Sequence, residues 1–189
     1  VNEDATLTVS DDDNATTVST ASFSSGDSYN VNGYSGDPSG VVFNDDGTKM
    51  YISDVSDRYI YQYNLSTAFD VSSVTGSVAG LSLGGSLYAT SLSFNSDGTK
   101  LYVLTGDTVY EYAASTAFDV TSASLSTSTS LSGQESSMQG LAFNNDGTKM
   151  FTVGASNDNV YEYALSTAFD VSSLTYTDSL DISSEELTP

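Results

Sequence analysis

The side chains that could carry chemistry in this chain are limited in kind. Its 189 residues include no histidine and no cysteine, and 25 acidic residues face 4 basic ones for a net charge of −21. Imidazole bases, Ser-His-Asp triads, thiol nucleophiles, disulfides and zinc–cysteine sites are therefore excluded. What remains is carboxylates, hydroxyls, tyrosines and bound calcium. Glu111 and Glu162 occupy matching positions in two "YEY" stretches, and paired carboxylates are the machinery of a glycosidase. The corresponding residue of the first copy is Gln62, and losing the ionisable group there suits a strand-surface residue better than an acid or base. The loop "SDVSDR" offers Asp54, Asp57 and Arg58 as ligand candidates that could hydrogen-bond a sugar. Its counterparts "TGD" and "GASNDN" differ, so such a site would exist in one unit only. No catalytic residue and no cofactor is expected, with calcium the one open candidate.

Lysine is the other chemically distinctive residue. "FNDDGTKMY" at Phe43, "FNSDGTKLY" at Phe94 and "FNNDGTKMF" at Phe143 place Lys49, Lys100 and Lys149 at one repeated position. The Asp-Gly pair inside each copy suits a tight hairpin, because glycine tolerates positive φ and aspartate bonds nearby backbone amides. The lysine then opens a strand, where its stem can cover an aromatic neighbour while its ammonium meets local carboxylates. Calcium ligation by Asp45, Asp46 and their counterparts is the alternative; the cation two residues past Gly47 and the lack of a full DxDxDG loop weigh against it.

The elements that would position these residues follow from the spacing. Phe43, Phe94 and Phe143 are 51 and 49 residues apart, and Tyr61, Tyr110 and Tyr161 are 49 and 51 apart. The two-residue difference is confined to one loop, between the "KMY" and "YxY" segments. Each unit reads as short strands: "GVVF", "TSLSF" and "GLAF"; then "KMYIS", "KLYVL" and "KMFTV"; then "YIYQYNL", "TVYEY" and "NVYEYAL"; then a Ser/Thr-rich segment such as "SVTGSVAGLSL". With no sustained helical periodicity, four antiparallel strands per roughly 50 residues is the reading, in an all-β chain. Phe43, Phe94 and Phe143 are expected at equivalent buried sites. Phe69, Phe118 and Phe169 of "STAFD" are expected to anchor the crossing to the fourth strand.

The separated motifs "DGTKM" and "YxLSTAFDVS", present in all three copies, resemble repeats of large bacterial and phage-associated surface proteins expected to form β-propellers. The resemblance covers about Val18 to Pro189 and implies a β-propeller-like array of three four-stranded blades in a secreted setting. It carries no catalytic site across. The opening "VNEDATLTVSDDD" is similar to the start of cadherin-like adhesin modules. That similarity makes Asp11, Asp12 and Asp13 weak calcium candidates at a domain junction, against the competing reading of a solvated acidic linker or lone strand. Two regions are expected: an acidic N-terminal strand or linker over residues 1–17, and a repeat domain over 18–189 with units beginning near 40, 91 and 140.

The counts bear on function. "VSTASF" at Val18 matches "VTSASL" at Val120, so the array begins at a fourth segment, giving four copies of that segment for three of the others. Three blades are too few to close a ring of the usual kind, and an open stack exposes edges that favour association. The leading expectation is a non-enzymatic extracellular structural or adhesive module, a filament subunit assembling head to tail through terminal strands. The alternative is a glycan-binding propeller module. Self-association and glycans are the expected partners. A net charge of −21 disfavours nucleic acid, and no apolar run approaches the roughly 20 residues of a membrane span. Val1 opens an acidic stretch rather than a signal peptide, which reads as a mature or trimmed product on the cell surface or outside it. "NAT" at Asn14 and "NLS" at Asn64 fit the N-glycosylation acceptor pattern and are expected in linker or loop positions.

Overall fold

The computed structural model describes residues 7–9, 16–18, 28–31, 36–85 and 87–184. Asp11, Asp12, Asp13 and Asn14 lie outside the described residues. Near the N-terminus, β1 (Leu7–Val9) and β2 (Thr16–Val18) pair antiparallel as a two-stranded sheet.

Three four-stranded antiparallel sheets follow, each running through its strands in chain order. Blade 1 is β3 (Pro38–Phe43), β4 (Lys49–Asp54), β5 (Tyr59–Leu65) and β6 (Val74–Ser82). Blade 2 is β7 (Ser91–Phe94), β8 (Lys100–Thr105), β9 (Thr108–Ala114) and β10 (Ala123–Ser130). Blade 3 is β11 (Met138–Phe143), β12 (Lys149–Gly154), β13 (Asn159–Leu165) and β14 (Leu174–Asp181). The first strands are spatial neighbours, with β7 between β3 and β11. This is a three-blade arc of a β-propeller-like fold, as the repeat implied.

Local chemistry dictates the turns. In blade 1, the Asn44 side chain accepts from the Lys49 amide at 2.8 Å, and Asp46 Oδ1 accepts from both the amide and the hydroxyl of Thr48. Gly47 sits at φ +69°, where a side chain would be strained. The same bonds recur around Asn95 and Asp97, and around Asn144 and Asp146. The loop between second and third strands is where the units differ: only Gly106 and Asp107 link β8 to β9, whereas residues 55–58 and 155–158 link the corresponding strands of blades 1 and 3.

The "STAFD" crossing is more structured than its sequence suggests. Each ends in a single 3-10 turn, Val71–Ser73, Val120–Ser122 or Val171–Ser173, whose preceding aspartate caps the amide two residues on. The preceding Phe69, Phe118 and Phe169 adopt φ of 59°, 54° and 59°, an unusual left-handed setting for an aromatic residue. Each donates its amide to the Asp-Gly turn of its own blade, as Phe69 does to the Gly47 carbonyl at 2.9 Å.

Cores lie between blade faces, as in stacked sheets. Tyr51, Ile60, Leu92, Leu101, Val103 and Val120 fill the space between blades 1 and 2. Tyr102, Val109, Leu131, Leu141, Met150 and Val171 fill that between blades 2 and 3. A third cluster on the far face of blade 1 comprises Met50, Ile52, Tyr63 and Leu65, with Tyr29 and Val31 packed against it. Phe43, Phe94 and Phe143 do occupy equivalent places, but only partly buried ones.

Candidate functional site

The repeated lysine does not merely cover its neighbours. Lys49 Nζ donates to the Phe118 carbonyl of blade 2 at 2.8 Å, and the Tyr51 hydroxyl donates to the same oxygen at 2.6 Å. One blade further on, Lys100 Nζ and the Tyr102 hydroxyl meet the Phe169 carbonyl of blade 3 at 2.8 and 2.6 Å. The left-handed phenylalanine thus presents one carbonyl to two donors of the preceding blade. An ammonium and a phenol on one acceptor make a charge-assisted, largely desolvated contact, stronger than the same bonds in water.

Gln62 and Glu111 complete the junctions. Gln62 Oε1 accepts from the Val120 amide at 3.0 Å, and Glu111 Oε2 from the Val171 amide at 3.2 Å. Both side chains are buried, which corrects the expectation of a strand-surface position. Glu111 also pairs with Lys100 at 2.9 Å. What the position needs is a hydrogen-bond acceptor, and glutamine supplies that as well as glutamate does. A β-bulge falls beside this residue in every blade, a device that re-aims side chains.

Aromatic contacts run parallel to the polar ones. Tyr51 packs on Phe94 of the next blade at 4.7 Å between centroids, and Phe94 on Phe118 at 5.4 Å. Tyr102, Phe143 and Phe169 repeat the chain at 4.4 and 5.6 Å. Burial, then the Asp119 and Asp46 charges, push the Tyr51 phenol well above its ordinary value; burial, then Glu111, does the same for Tyr102. Both therefore remain neutral donors across the physiological range.

Beside this machinery the turns form a cleft. Asp45, Ser96 and Asn145, the second residue after the first-strand phenylalanine in each copy, converge there with Phe94, Phe143 and Phe169. Three polar side chains over aromatic walls could take a small polar ligand such as a sugar. Asp46, Asp97 and Asp146 are committed to their threonines instead. Among the described residues, no group of three or more His, Cys, Asp or Glu is placed to hold a metal ion.

The other candidate ligand residues separate. Asp54 is fully buried and caps its own loop, accepting from the Asp37 amide at 2.8 Å and the Asp57 amide at 2.5 Å. Asp57 accepts from the Tyr61 hydroxyl at 2.9 Å, and that phenol is pushed up to about 12 by partial burial and then by Asp57. Arg58 bonds the Gly85 carbonyl at 3.0 Å and lies 5.3 Å over the Tyr88 ring. Asp57, Arg58 and Tyr88 therefore form an outward loop cluster from which Asp54 is withdrawn. Asn64 is exposed on β5 rather than in a loop. The lysine–carbonyl staples were missed in sequence, although a lysine retained in every copy of a chain with so few cations was the signal.

The fold defines a propeller-type β protein. No family model and no curated protein matches the chain. Solved structures do: a candidate 6-phosphogluconolactonase from Bacteroides uniformis (TM-score 0.58, 14% identity, 76% of this chain and 41% of that one), the periplasmic gluconolactonase of Pseudomonas aeruginosa (0.57, 15%, 77% and 41%), and the β-propeller domain of Cps50 (Swd1) from Myceliophthora thermophila (0.51, 14%, 76% and 41%). The chain spans about two fifths of the structures it matches, and at such identities the likeness is one of fold.

Proposed function

We propose that this chain is a non-enzymatic extracellular module with a structural or adhesive role, and that it self-associates head to tail. One observation carries the reading: the repeated residues with chemical capacity are used to join one blade to the next. Lys49, Lys100, Gln62 and Glu111 are all engaged in that way. The extracellular setting rests on the acidic, Ser/Thr-rich composition and the repeat resemblance. The outer edge of β14 is one route for a partner strand, since β14 pairs only with β13 among the described strands.

A glycan-binding reading has two specific footholds, the Asp45–Ser96–Asn145 cleft and the outward Arg58–Tyr88 cluster. The gluconolactonases among the similar folds supply an enzymatic competitor. One set of measurements on the purified chain separates the three: a polysaccharide array, lactone hydrolysis, and electron microscopy with sedimentation. Assemblies without turnover or saturable sugar binding are expected. Lactone turnover abolished by Asp45→Asn would overturn the structural reading.

A further inference from the structure

The two ends of the arc are complementary halves of the interface that the chain builds twice within itself. On the open face of blade 3, Lys149 and Glu162 pair at 2.9 Å but have side chains 48% and 29% exposed, against 28% and 4% for Lys100 and Glu111. Phe151 stands where Tyr51 and Tyr102 are fully buried, yet is only partly covered. It lines a groove with Val160, Glu162 and Leu180, the last 65% exposed. This is a donating face with nothing to receive it among the described residues.

The open face of blade 1 is the receiving half. Phe69 and Val71 are the counterparts of Phe118 and Val120, whose carbonyl and amide are held by blade 1, and of Phe169 and Val171, held by blade 2. Among the described residues no side chain meets the Phe69 carbonyl or the Val71 amide. Phe69 is 59% exposed, and Val41 is 58% exposed where its counterparts Leu92 and Leu141 are at 4% and 9%. Phe43 stacks on Phe69 at 5.5 Å but has no tyrosine from a preceding blade. Tyr29 and Val31 pack on this same face, against the Met50, Ile52, Tyr63 and Leu65 cluster that Phe43 and Val71 also join, so the part left open is the end formed by Phe69 and Val41.

We infer that blade 3 docks on blade 1 of a second copy of this chain, the inference resting on the self-association proposed above. Lys149 Nζ donates to the Phe69 carbonyl of that copy, Glu162 accepts from its Val71 amide, and Phe151 packs on its Phe43. A second copy is the occupant because it carries the acceptor, the donor and the ring at the spacing that Lys49, Gln62 and Tyr51 already match internally. The contact is heterologous, so successive copies either close a ring or extend a filament. Two three-blade arcs make a six-blade ring, within the usual range of about four to eight.

Sedimentation velocity on the full chain and four variants tests this, at physiological and high salt, because a net charge of −21 opposes association until screened. Phe151→Glu should abolish assembly. Val71→Pro should too, since it removes the amide while keeping an apolar side chain against the Met50 and Tyr63 cluster: Val71 opens its 3-10 turn behind an extended Asp70, a place where proline fits. Phe151→Tyr supplies the hydroxyl that blades 1 and 2 use and should tighten association about three- to tenfold. Glu162→Gln should assemble within about twofold of the parent, as Gln62 does this work in blade 1. If Phe151→Glu and Val71→Pro, both folded by circular dichroism, assemble like the parent, the face assignment is overturned while self-association stands. A parent chain that stays monomeric in all conditions overturns both.

Discussion

Lys49 and Phe118 are 69 positions apart and joined by a 2.8 Å hydrogen bond from ammonium to backbone carbonyl. The bond crosses from one blade to the next, so the first turn of one unit and the last crossing of its neighbour are fixed together. Lys100 repeats it with Phe169 and adds an ion pair to the buried Glu111. Among the described residues the Lys149 ammonium meets only its partly exposed glutamate, Glu162.

Removing Lys100 should therefore hurt more than the loss of a stem that merely covers an aromatic neighbour. Lys100→Met strands the Glu111 carboxylate in the interior and should cost about 3 kcal/mol in urea unfolding. The double variant Lys100→Met/Glu111→Gln should recover much of that loss, because Gln62 already serves beside Val120. Lys149→Met should cost about 0–1 kcal/mol, as for an exposed pair. Equal losses at Lys100 and Lys149 would refute the role of the inter-blade carbonyl.

Phe94 lies between Tyr51 of the preceding blade and Phe118 of its own. Phe94→Ala should cost about 3–5 kcal/mol. Among the described residues the Phe43 ring stacks on Phe69 and packs on the Met50 and Tyr63 cluster but meets no tyrosine of a preceding blade, so in dilute monomer Phe43→Ala should cost less, on the order of 2 kcal/mol. Paired denaturation curves below the association range measure the difference.

Much of this architecture was legible because its signals are local. The two-residue alternation of Val41 with Phe43, the Asp-Gly turns and the constant register from Tyr61 to Phe94 specify strands, hairpins and units without knowledge of neighbours. The 3-10 turns and the left-handed Phe69, Phe118 and Phe169 were not legible, since aromatic residues carry no propensity for positive φ. The role of Glu111 was hidden for another reason. Its partner, Val171, contributes a backbone amide, and any residue but proline offers one. The cleft of Asp45, Ser96 and Asn145 likewise depends on how three turns converge, which spacing alone does not fix.

Gly98 links turn to staple. Its φ is +69°, and a methyl group there would overlap the Phe118 ring. Gly98→Ala should add displacement of Phe118, whose carbonyl Lys49 and Tyr51 hold, to a backbone cost of about 1–2 kcal/mol. Gly76, at φ +76°, has open space around its Cβ position, so Gly76→Ala should show the backbone cost alone. Thermal unfolding of the two variants should rank Gly98→Ala well below Gly76→Ala, and the reverse order would place the phenylalanine crossing outside the stabilising network.

Stability should fall at both ends of the pH scale for separate reasons. Asp46, Asp97 and Asp146 have carboxyls held below the ordinary 3.8 by hydrogen bonds from the threonine side chain and backbone two residues on. Asp119 and Asp170 are lowered mainly by bonds from Thr121 and Ser172. Lowered folded values mean that the unfolded chain binds protons first, so this contribution is complete above about 3.8 and is lost as pH drops through the folded values. Tyr51 and Tyr102 act in the opposite direction. Burial raises their phenols above the ordinary 10.0, so their contribution is complete below 10.0 and declines as pH climbs from there toward the folded values. Melting temperature should be level across the neutral range and drop beyond each edge. Tyr51→Phe, which deletes one ionisable staple while copying the residue found naturally at Phe151, should lower the plateau by the equivalent of about 1 kcal/mol and make the alkaline decline shallower. An alkaline limb as steep as the parent's in the Tyr51→Phe/Tyr102→Phe variant would show that these two phenols are not the groups that ionise on unfolding.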